Sequence, residues 1–162
     1  MITLFSRISI LRMTTLRFSL LTLLTLMIGC LSSCNPFESK SLAEAGVTEF
    51  HTRYNAGDFA TIYRGAHADL KKVQTEDDFM TFLNQAKLTL GDMDSTSQLT
   101  WTANSYNLVT SVVMVQESQF QNGEGQEHFT FVIEDGKPIL LGYRIDSKAF
   151  MEKAAEGASG QE

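Results

Sequence analysis

The sequence predicts a single α+β domain in which helices come first and a four-stranded antiparallel sheet follows. Three observations support this fold class. The chain has 162 residues, a length typical of one domain. Apolar residues recur with helical spacing between residues 47 and 90. Between residues 99 and 146 they alternate with a period of two, which is typical of half-buried strands.

The first 33 residues have the composition of an export signal. They contain three arginines and no acidic residue, and an apolar run from Phe18 to Ile28 follows the last arginine. This run is shorter than the roughly 20 residues that a helix needs to span a bilayer. It matches the apolar region of a secretory signal, and an uncleaved signal anchor is the alternative interpretation.

Small residues and cysteines follow the apolar run. Leu31-Ser32-Ser33-Cys34 resembles the lipobox of bacterial lipoproteins, in which an aliphatic residue and two small residues precede the lipidated cysteine. Met27-Ile28-Gly29-Cys30 resembles it too, with a less usual first residue, so Cys30 is the alternative to Cys34. The resemblance implies a lipid-anchored protein of the bacterial cell envelope. Asn35 after Cys34 favours the outer membrane, facing the periplasm, where there is one.

The chain beyond the signal is acidic and lacks cysteine. Without the three signal arginines it has ten basic and 19 acidic residues, a net charge of about −9 at neutral pH. Such a surface repels phosphate backbones, so nucleic acid is not an expected partner. No cysteine follows Cys34, which excludes a disulfide, a thiolate nucleophile and a cysteine metal ligand in the folded part.

These observations divide the chain into four parts. Residues 1–33 are the signal peptide, and residues 34–41 are the lipidated cysteine and a short polar linker. Residues 42–146 are the α+β domain, and residues 147–162 are a C-terminal tail. Because the tail is small and polar from Gly157 onward, we expect its end to be frayed.

Three helices are predicted in the first half of the domain. The first has an apolar face that repeats at helical spacing, formed by Val47, Phe50, His51 and Tyr54. Gly57 ends this helix and Asp58 caps the second, which is predicted to end near His67. Thr75, followed by three acids, begins the third helix, and Gly91 ends it.

The last two of the four predicted strands form a hairpin around a two-residue turn, Asp135-Gly136. The register set by this turn pairs Phe131 with Leu140, Phe129 with Gly142, and His128 with Tyr143. Both faces of this hairpin are apolar, whereas the helices cover only one sheet face. We therefore predict that the second face curls into a pocket or is covered by a second subunit, with Phe129, Phe131 and Leu140 as candidate interface residues.

The order of these elements is similar to the nuclear transport factor 2-like superfamily, whose cone-shaped fold is shared with ketosteroid isomerase. Residues 50–60, Phe-His-Thr-Arg-Tyr-Asn-Ala-Gly-Asp-Phe-Ala, resemble its helix–Gly-Asp–helix start. Residues 135–143, Asp-Gly-Lys-Pro-Ile-Leu-Leu-Gly-Tyr, resemble its closing hairpin, where an aromatic residue often stands at the position of Pro138. Across residues 42–146 the resemblance implies a curved, cone-like sheet and a homodimer. It implies no reaction, because no motif here matches the Asp or His base of the family's enzymes.

Five side chains are candidates to line a pocket or binding site: His51, Tyr54, Trp101, His128 and Tyr143. His51 on an apolar helix face is suited to act as a general base, but a core histidine with one hydrogen bond has the same pattern and is the interpretation we favour. Trp101, the only tryptophan, lines either the core or a pocket. Cross-strand packing explains the His128–Tyr143 pair as well as a proton relay does.

Neither a metal site nor a cofactor is expected. No two histidines have metal-ligand spacing. Glu117 and Glu127 are predicted to approach each other across the turn at Gly123 on a solvent-exposed face, with a weak cation site as the alternative. His67 is predicted to complement the dipole at the end of the second helix. The motifs of phosphate loops, serine hydrolases and metalloproteases are absent.

The sequence therefore favours a lipid-anchored envelope protein with a non-catalytic domain that binds a ligand or a protein. One alternative is an isomerase or hydratase that acts on a small apolar molecule with His51 or His128 as its base. The other is a purely structural homodimer. The expected partners are the membrane, through the lipid anchor, and a second subunit, an envelope protein or a small apolar ligand.

Overall fold

The computed structural model describes residues 36–159, with side chains described to residue 153. The predicted signal peptide and the two cysteines predicted as lipidation sites lie outside this range. The described residues belong to one compact unit, Asn35–Glu162. Their elements, in chain order, are α1 (Pro36–Ala56), α2 (Phe59–Gly65), α3 (Ala68–Val73), α4 (Glu76–Leu90), β1 (Met93–Tyr106), β2 (Val109–Phe120), β3 (Gly123–Glu134), β4 (Lys137–Asp146) and α5 (Lys148–Ser159).

The predicted fold class, an α+β domain with a four-stranded antiparallel sheet, is confirmed. The strands lie in the order β1-β2-β3-β4, and each is antiparallel to its neighbour. Helix α1 crosses one face of the sheet and contacts all four strands, while α4 packs beside α2. We call this face the inner face. The fully buried core between it and the helices includes Tyr54, Phe79, Leu83, Leu90, Met114 and Phe129.

The predicted helix boundaries are confirmed at three junctions. Gly57 (φ 72°) ends α1 and Gly91 (φ 81°) ends α4, both in the left-handed region that glycine adopts without steric cost. The side chain of Asp58 caps α2 by accepting a hydrogen bond from the backbone N–H of Thr61 at 3.3 Å. Thr75 caps α4 in the same way.

Two segments predicted to be irregular are helical instead. Residues 36–41, predicted as a linker, form the first turns of α1, and most of the predicted tail forms α5. Proline is favoured at the first position of a helix because its missing N–H has no partner there anyway, so Pro36 marks a helix start. Alanine, lysine, glutamate and methionine dominate α5, and their helix propensity outweighs the single Gly157.

The prediction that His67 ends the second helix is wrong. Helix α2 ends at Gly65, and His67 is the N-cap of α3. Its Nδ1 atom accepts a hydrogen bond from the backbone N–H of Asp69 at 3.1 Å. The ring therefore satisfies a free donor at a helix start instead of placing a positive charge at a helix end. A helix as short as α3 shows too few turns for the spacing rule to detect it.

The hairpin of β3 and β4 follows the predicted register only near the turn. Asp135 and Gly136 form the two-residue turn, both with positive φ, and Phe131 pairs with Leu140 as predicted. After this pair the register shifts, and Leu141 has no partner on β3. Such a β-bulge places two residues of one strand opposite one residue of the other.

Beyond the bulge the predicted pairs are wrong by one residue. Tyr143 pairs with Phe129 instead of His128, and His128 pairs with Arg144. Gly142 consequently lies opposite Thr130. As a result Tyr143 lies on the inner face, where its ring packs 5.0 Å from that of Phe129.

Among residues 36–159, no helix is long and apolar enough to cross a membrane.

Candidate functional site

A groove opens between α1, α2 and the β3–β4 hairpin. Its volume is about 740 Å³, within the range of sites that bind small organic molecules. Nearly two thirds of its lining residues are apolar or small: Ala45, Gly46, Phe50, Ile62, Gly65, Phe131, Pro138, Ile139 and Leu140. Gly46 allows α1 to lie close to β3, since a Cβ atom there would be 2.8 Å from the Phe131 ring. The groove is thus built from residues that the helix–sheet contact itself requires.

The polar lining of this groove is mainly cationic: Glu49, Arg53, Thr61, Arg64 and Lys137. Arg53 is compensated, because Glu49 lies 2.5 Å and Asp58 3.6 Å from its guanidinium. Within the described side chains, neither Arg64 nor Lys137 lies within ion-pair distance of a carboxylate. The groove therefore places two positive charges that form no ion pair among the described side chains beside an apolar surface, although the chain as a whole is acidic.

A polar cluster lies deeper on the inner face, centred on Glu127, which is only 1% exposed. Its Oε2 atom accepts hydrogen bonds from Nε2 of His51, at 2.8 Å, and from the hydroxyl of Ser118. Its Oε1 atom accepts a hydrogen bond from the hydroxyl of Tyr143 at 2.7 Å. The hydroxyl of Thr96, 2.9 Å from that of Ser118, extends the network to β1. These donors replace the water that a carboxylate loses on burial.

The members of this Glu127 cluster come from four elements. Ser118 on β2 and Glu127 on β3 belong to the alternating residues that face the helices. Tyr143 on β4 joins them because the bulge at Leu141 turns it inward. His51 reaches the cluster from the buried face of α1. No single segment of the sequence therefore contains the cluster.

Two tyrosines near Glu127 hold their protons strongly. Burial raises the pKa of Tyr143 well above its usual value, and the negative charge of Glu127 and the hydrogen bond to it raise this pKa further. Burial also raises the pKa of Tyr54, and the charges of Glu127 and Asp92 add to the effect. Both phenols are therefore neutral at physiological pH, which suits Tyr143 as a hydrogen-bond donor.

The Glu127 cluster has the parts of an acid–base site, since a carboxylate contacts a histidine and two hydroxyl groups. Access to it is closed, because His51 is 3% exposed and Ser118 is fully buried. Phe50 stands between the cluster and the groove: it lines the groove, and its ring lies 4.4 Å from that of Tyr143. The groove thus offers an open surface, whereas His51, Ser118 and Glu127 of the cluster are buried.

Three of the five predicted pocket residues do not line the groove: His51 and Tyr54 are buried in the core, and Tyr143 is partly buried against it. His51 and Tyr143 bind Glu127, and the hydroxyl of the buried Tyr54 donates a hydrogen bond to the carbonyl of Gly91 at 3.3 Å. The favoured interpretation of His51 as a core histidine with one hydrogen bond agrees with this placement. It did not anticipate that the partner is a buried carboxylate.

The other two predicted pocket residues lie apart from this core. Trp101 on β1 is half-buried, and its ring is 6.3 Å from that of Phe37 at the start of α1. His128 is on the outer face of the sheet, with a carboxylate oxygen of Asp146 at 3.3 Å. The five candidate residues therefore do not lie together in one place within the described part of the chain.

The candidate interface residues Phe129, Phe131 and Leu140 are also placed differently from the prediction. They are 0%, 3% and 7% exposed and lie on the inner face, under the helices. Phe131 and Leu140 line the groove. The alternation assigned them correctly to one face, but that is the face the helices cover.

The predicted approach of Glu117 and Glu127 on a solvent-exposed face is wrong. Glu127 pairs with Gln116 on the inner face, whereas Glu117 pairs with Gln126 and is exposed. The sequence held a signal for this burial, because Glu127 alternates in phase with Phe129 and Phe131. Across residues 36–159, no group of three or more histidine or acidic side chains is arranged to hold a metal ion.

No protein-family model, no curated protein and no solved structure matches this chain. The function proposed for it therefore rests on its own residues and their geometry.

Proposed function

We propose that this protein is a lipid-anchored envelope protein whose domain binds, without catalysis, an elongated apolar molecule that carries an anionic group. One observation carries the proposal: Arg64 and Lys137, both without an acidic partner among the described residues, line an otherwise apolar groove of about 740 Å³. In this proposal an acyl chain packs against Phe131 and Leu140, and its carboxylate binds the two cations.

The groove has a surface that matches each part of such a ligand: apolar residues for the chain and cations for the anionic group. Burial of a methylene group contributes about 0.8 kcal/mol, so a chain of about ten carbons gains enough to bind even when part of it stays in solvent. A guanidinium pairs with a carboxylate through two parallel hydrogen bonds, which makes Arg64 the stronger of the two contacts. Because the domain is acidic overall, an anion needs such a local cationic site.

The anchor in this proposal is a lipid on Cys34, with Cys30 as the alternative. The support is the apolar run of residues 18–28 and the small residues before each cysteine. Mass spectrometry of the processed protein tests it directly. We expect the mature chain to begin at Cys34 and to carry acyl mass there. A mature chain that begins elsewhere, or that carries no acyl mass, would contradict the anchor.

We further propose that the domain is of the nuclear transport factor 2-like type, with the sheet curved into a cone around the groove. Two features support this assignment. The segment Ala56-Gly57-Asp58 forms the junction between α1 and α2, as the family's helix–Gly-Asp–helix start requires. The order of helices followed by an antiparallel sheet is that of the family.

The ligand proposal is tested by titrating the purified protein with dodecanoate, with dodecanol as a probe of equal chain length and no charge. We expect dodecanoate to bind about tenfold more tightly or better, because only the carboxylate pairs with the cations. The double variant Arg64→Gln, Lys137→Gln should lose this preference. Its free energy of unfolding should stay within about 0.5 kcal/mol of the parent, since both side chains are at the surface of the groove.

Two further variants separate charge from shape. Gly65→Trp should weaken both probes, because Gly65 lines the groove and a Cβ added there has no atom within 4 Å, so the new ring has room to fill it. Lys148→Gln removes the same charge from α5, outside the groove lining, and should change neither affinity. Equal affinities for the two probes, or a double variant that binds dodecanoate like the parent, would refute the proposal.

A second candidate function, acid–base catalysis, is supported by the contact between His51 and Glu127. It requires that Phe50 swing away so that a substrate in the groove reaches the histidine. The decisive comparison is solvent exchange at the His51 ring, measured by NMR, with and without a saturating groove ligand. Exchange that accelerates on binding would favour catalysis, and unchanged exchange would favour the binding function.

A further inference from the structure

We propose that the tip of the β1–β2 hairpin, Tyr106 to Val109, contacts the surface of the lipid bilayer in which the protein is anchored. The proposal rests on the lipid anchor for its location and adds a second contact with the same membrane. We call these four residues, Tyr106, Asn107, Leu108 and Val109, the hairpin tip.

The hairpin tip is apolar, exposed and far from any charge along the chain. Leu108 is 100% exposed and Tyr106 is 79% exposed. No acidic, basic or histidine residue occurs from Ser95 to Gln116, although 20% of the chain is charged. Across the sheet, the acidic Glu134 follows Ile133, the partner of Thr110. The tip residues themselves carry no charge, so their side chains can enter the interfacial region of a bilayer without removing a charge from water. Tyrosine is the residue type enriched at that depth, since its ring is apolar and its hydroxyl polar.

The backbone of the hairpin tip singles out Leu108. Asn107 (φ 49°) and Leu108 (φ 66°) form a two-residue turn between the paired residues Tyr106 and Val109. Turns of this kind favour glycine at the second position, and the other such turn, Asp135-Gly136, has it. A leucine in the left-handed region is disfavoured by its Cβ atom. Because the Leu108 side chain is fully exposed, no packing within the domain offsets this backbone cost.

The hairpin tip and the start of α1 point to the same side of the domain. At one end of α1, Phe37 packs on Trp101, and the Lys40 ammonium lies 5.9 Å from the centre of that ring. At the other end, Asn55 forms two hydrogen bonds of 2.8 Å with the backbone of Met93. Helix α1 therefore runs antiparallel to β1, over a length of about 27 Å.

The lengths of the two segments place the hairpin tip on the side of the domain where the proposed lipid anchor lies. Strand β1 continues for five residues past Trp101, which is about 16 Å, before the turn begins. Cys34 precedes the first residue of α1 by two positions, a reach of about 7 Å. A lipid on Cys34 thus holds the start of α1 near the bilayer, and the hairpin extends toward the same bilayer.

The test uses residues 35–162, the compact unit with its own core, and vesicles of neutral phosphatidylcholine. We expect a weak but measurable fraction to float with the vesicles. The variant Tyr106→Ser, Leu108→Gly should reduce that fraction about threefold or more, because it removes the tip's two most exposed apolar side chains. Because glycine is the preferred residue in this turn, the variant should melt at the temperature of the parent or above it, so the loss would not come from unfolding.

The matched control removes equally exposed apolar side chains from elsewhere. Val73→Ser and Leu88→Ser, at positions 85% and 83% exposed in α3 and α4, should leave the floating fraction unchanged. In a third variant, Leu108→Trp, brominated lipid should quench the added fluorescence more than it quenches Trp101 in the parent. The proposal is overturned if the parent does not float, if the controls lose as much as the tip variant, or if the introduced tryptophan is not quenched.

Two measurements keep this proposal separate from the anchor and from other partners. Acyl mass on Cys34 together with flotation that is insensitive to the tip variant supports the anchor and overturns the tip contact. Tip-dependent flotation without acyl mass supports the tip contact and refutes the anchor. If the unit is a dimer by sedimentation and the tip variant is a monomer, the tip is an interface between copies, and the membrane contact is overturned.

Discussion

The groove and the Glu127 cluster share strand β3 but differ in solvent exposure. The groove is open, whereas Glu127 is buried. Phe131 in the groove and Glu127 in the cluster are four residues apart on the inner face of β3. Phe131 borders an open volume lined by cations, whereas Glu127 is enclosed by donors from three elements. The groove and the cluster are separated by two packed rings, those of Phe50 and of Phe129, which lies between Glu127 and Phe131 on the strand. In this domain the reactive side chains and the open groove are therefore in different places.

This difference teaches that the two regions should respond to different measurements. In the Glu127 cluster every hydrogen bond is internal, so its loss changes the stability of the fold. In the groove Arg64 and Lys137 form no ion pair among the described residues, so we expect their loss to change the affinity for the proposed ligand and to change stability little. A cluster variant that left stability unchanged, or a groove variant that lowered stability, would contradict this distinction.

The largest effect is expected for Glu127→Ala. Removal of the carboxylate leaves the donors of His51, Ser118 and Tyr143 without their shared acceptor in the core. Breaking a buried, charged network of this kind costs about 3–5 kcal/mol of unfolding free energy. Urea denaturation followed by circular dichroism measures it. Glu127→Gln keeps the volume and one carbonyl acceptor, and should lose about half as much.

The control for Glu127→Ala is Glu124→Ala on the same strand. Glu124 is exposed, and its carboxylate accepts a hydrogen bond from the side-chain amide of Gln119 at 3.3 Å. Its removal should cost less than about 0.5 kcal/mol, because an exposed contact of this kind competes with water. If both variants lost the same free energy, the cluster would not be a structural centre of the fold.

Phe50→Ala tests the separation of the groove from the cluster. Truncation of a buried phenylalanine costs about 3–5 kcal/mol, and here it also removes the side chain that separates the groove from Tyr143. Because burial is the main cause of the raised pKa of Tyr143, water admitted through the gap should lower that pKa toward its usual value of 10.0. Ultraviolet titration of the phenolate measures it. The variant Phe37→Ala, at a position 70% exposed, should leave the titration unchanged.

Tyr143→Phe is expected to have the smallest effect on stability at neutral pH, about 1 kcal/mol for one hydrogen bond, and a clearer effect in alkali. In the folded state the pKa of Tyr143 lies above the ordinary value of 10.0 that it has in the unfolded chain. The folded state thus binds more protons above about pH 10, and stability falls as the pH rises from there to the folded pKa. The slope is about 1.4 kcal/mol per pH unit for one such group.

In Tyr143→Phe this part of the alkaline slope should disappear, leaving the slope that the raised pKa of Tyr54 contributes. Urea denaturation at pH values from about 9 to 12 measures both slopes. Tyr106→Phe is the matched control, because Tyr106 is exposed at the hairpin tip and should leave the slope of the parent protein unchanged. An unchanged slope in Tyr143→Phe would show that this phenol is not buried against Glu127.

The sequence was sufficient for the fold class and for most helix ends because these depend on local signals. Gly57, Asp58, Thr75 and Gly91 act through their own backbone and side chains, so their positions alone predict the boundaries. The Asp135-Gly136 turn is equally local. The start of α1 was not predicted, because the polar residues after Pro36 show no apolar helical spacing, although the helix begins there.

The candidate site could not be predicted to the same extent because its parts meet only through tertiary packing. His51 and Glu127 are 76 positions apart, and nothing in either segment indicates the other. The groove depends on how closely α1 lies to β3, which Gly46 sets through a contact with Phe131. Arg64 and Lys137 were not singled out, since a surface cation becomes informative only when the surfaces around it are known.

The extra residue at Leu141 reverses which residues of β4 face the helices. Up to Leu140 the even-numbered residues face the helices, and after the bulge the odd-numbered ones do. A chain that lacked Leu141 would restore regular alternation and still present the phenol of Tyr143 to Glu127. A residue lost from between Tyr143 and Ile145 would instead turn the isoleucine away from the core, so the strand tolerates a change of length at one place and not at its neighbour.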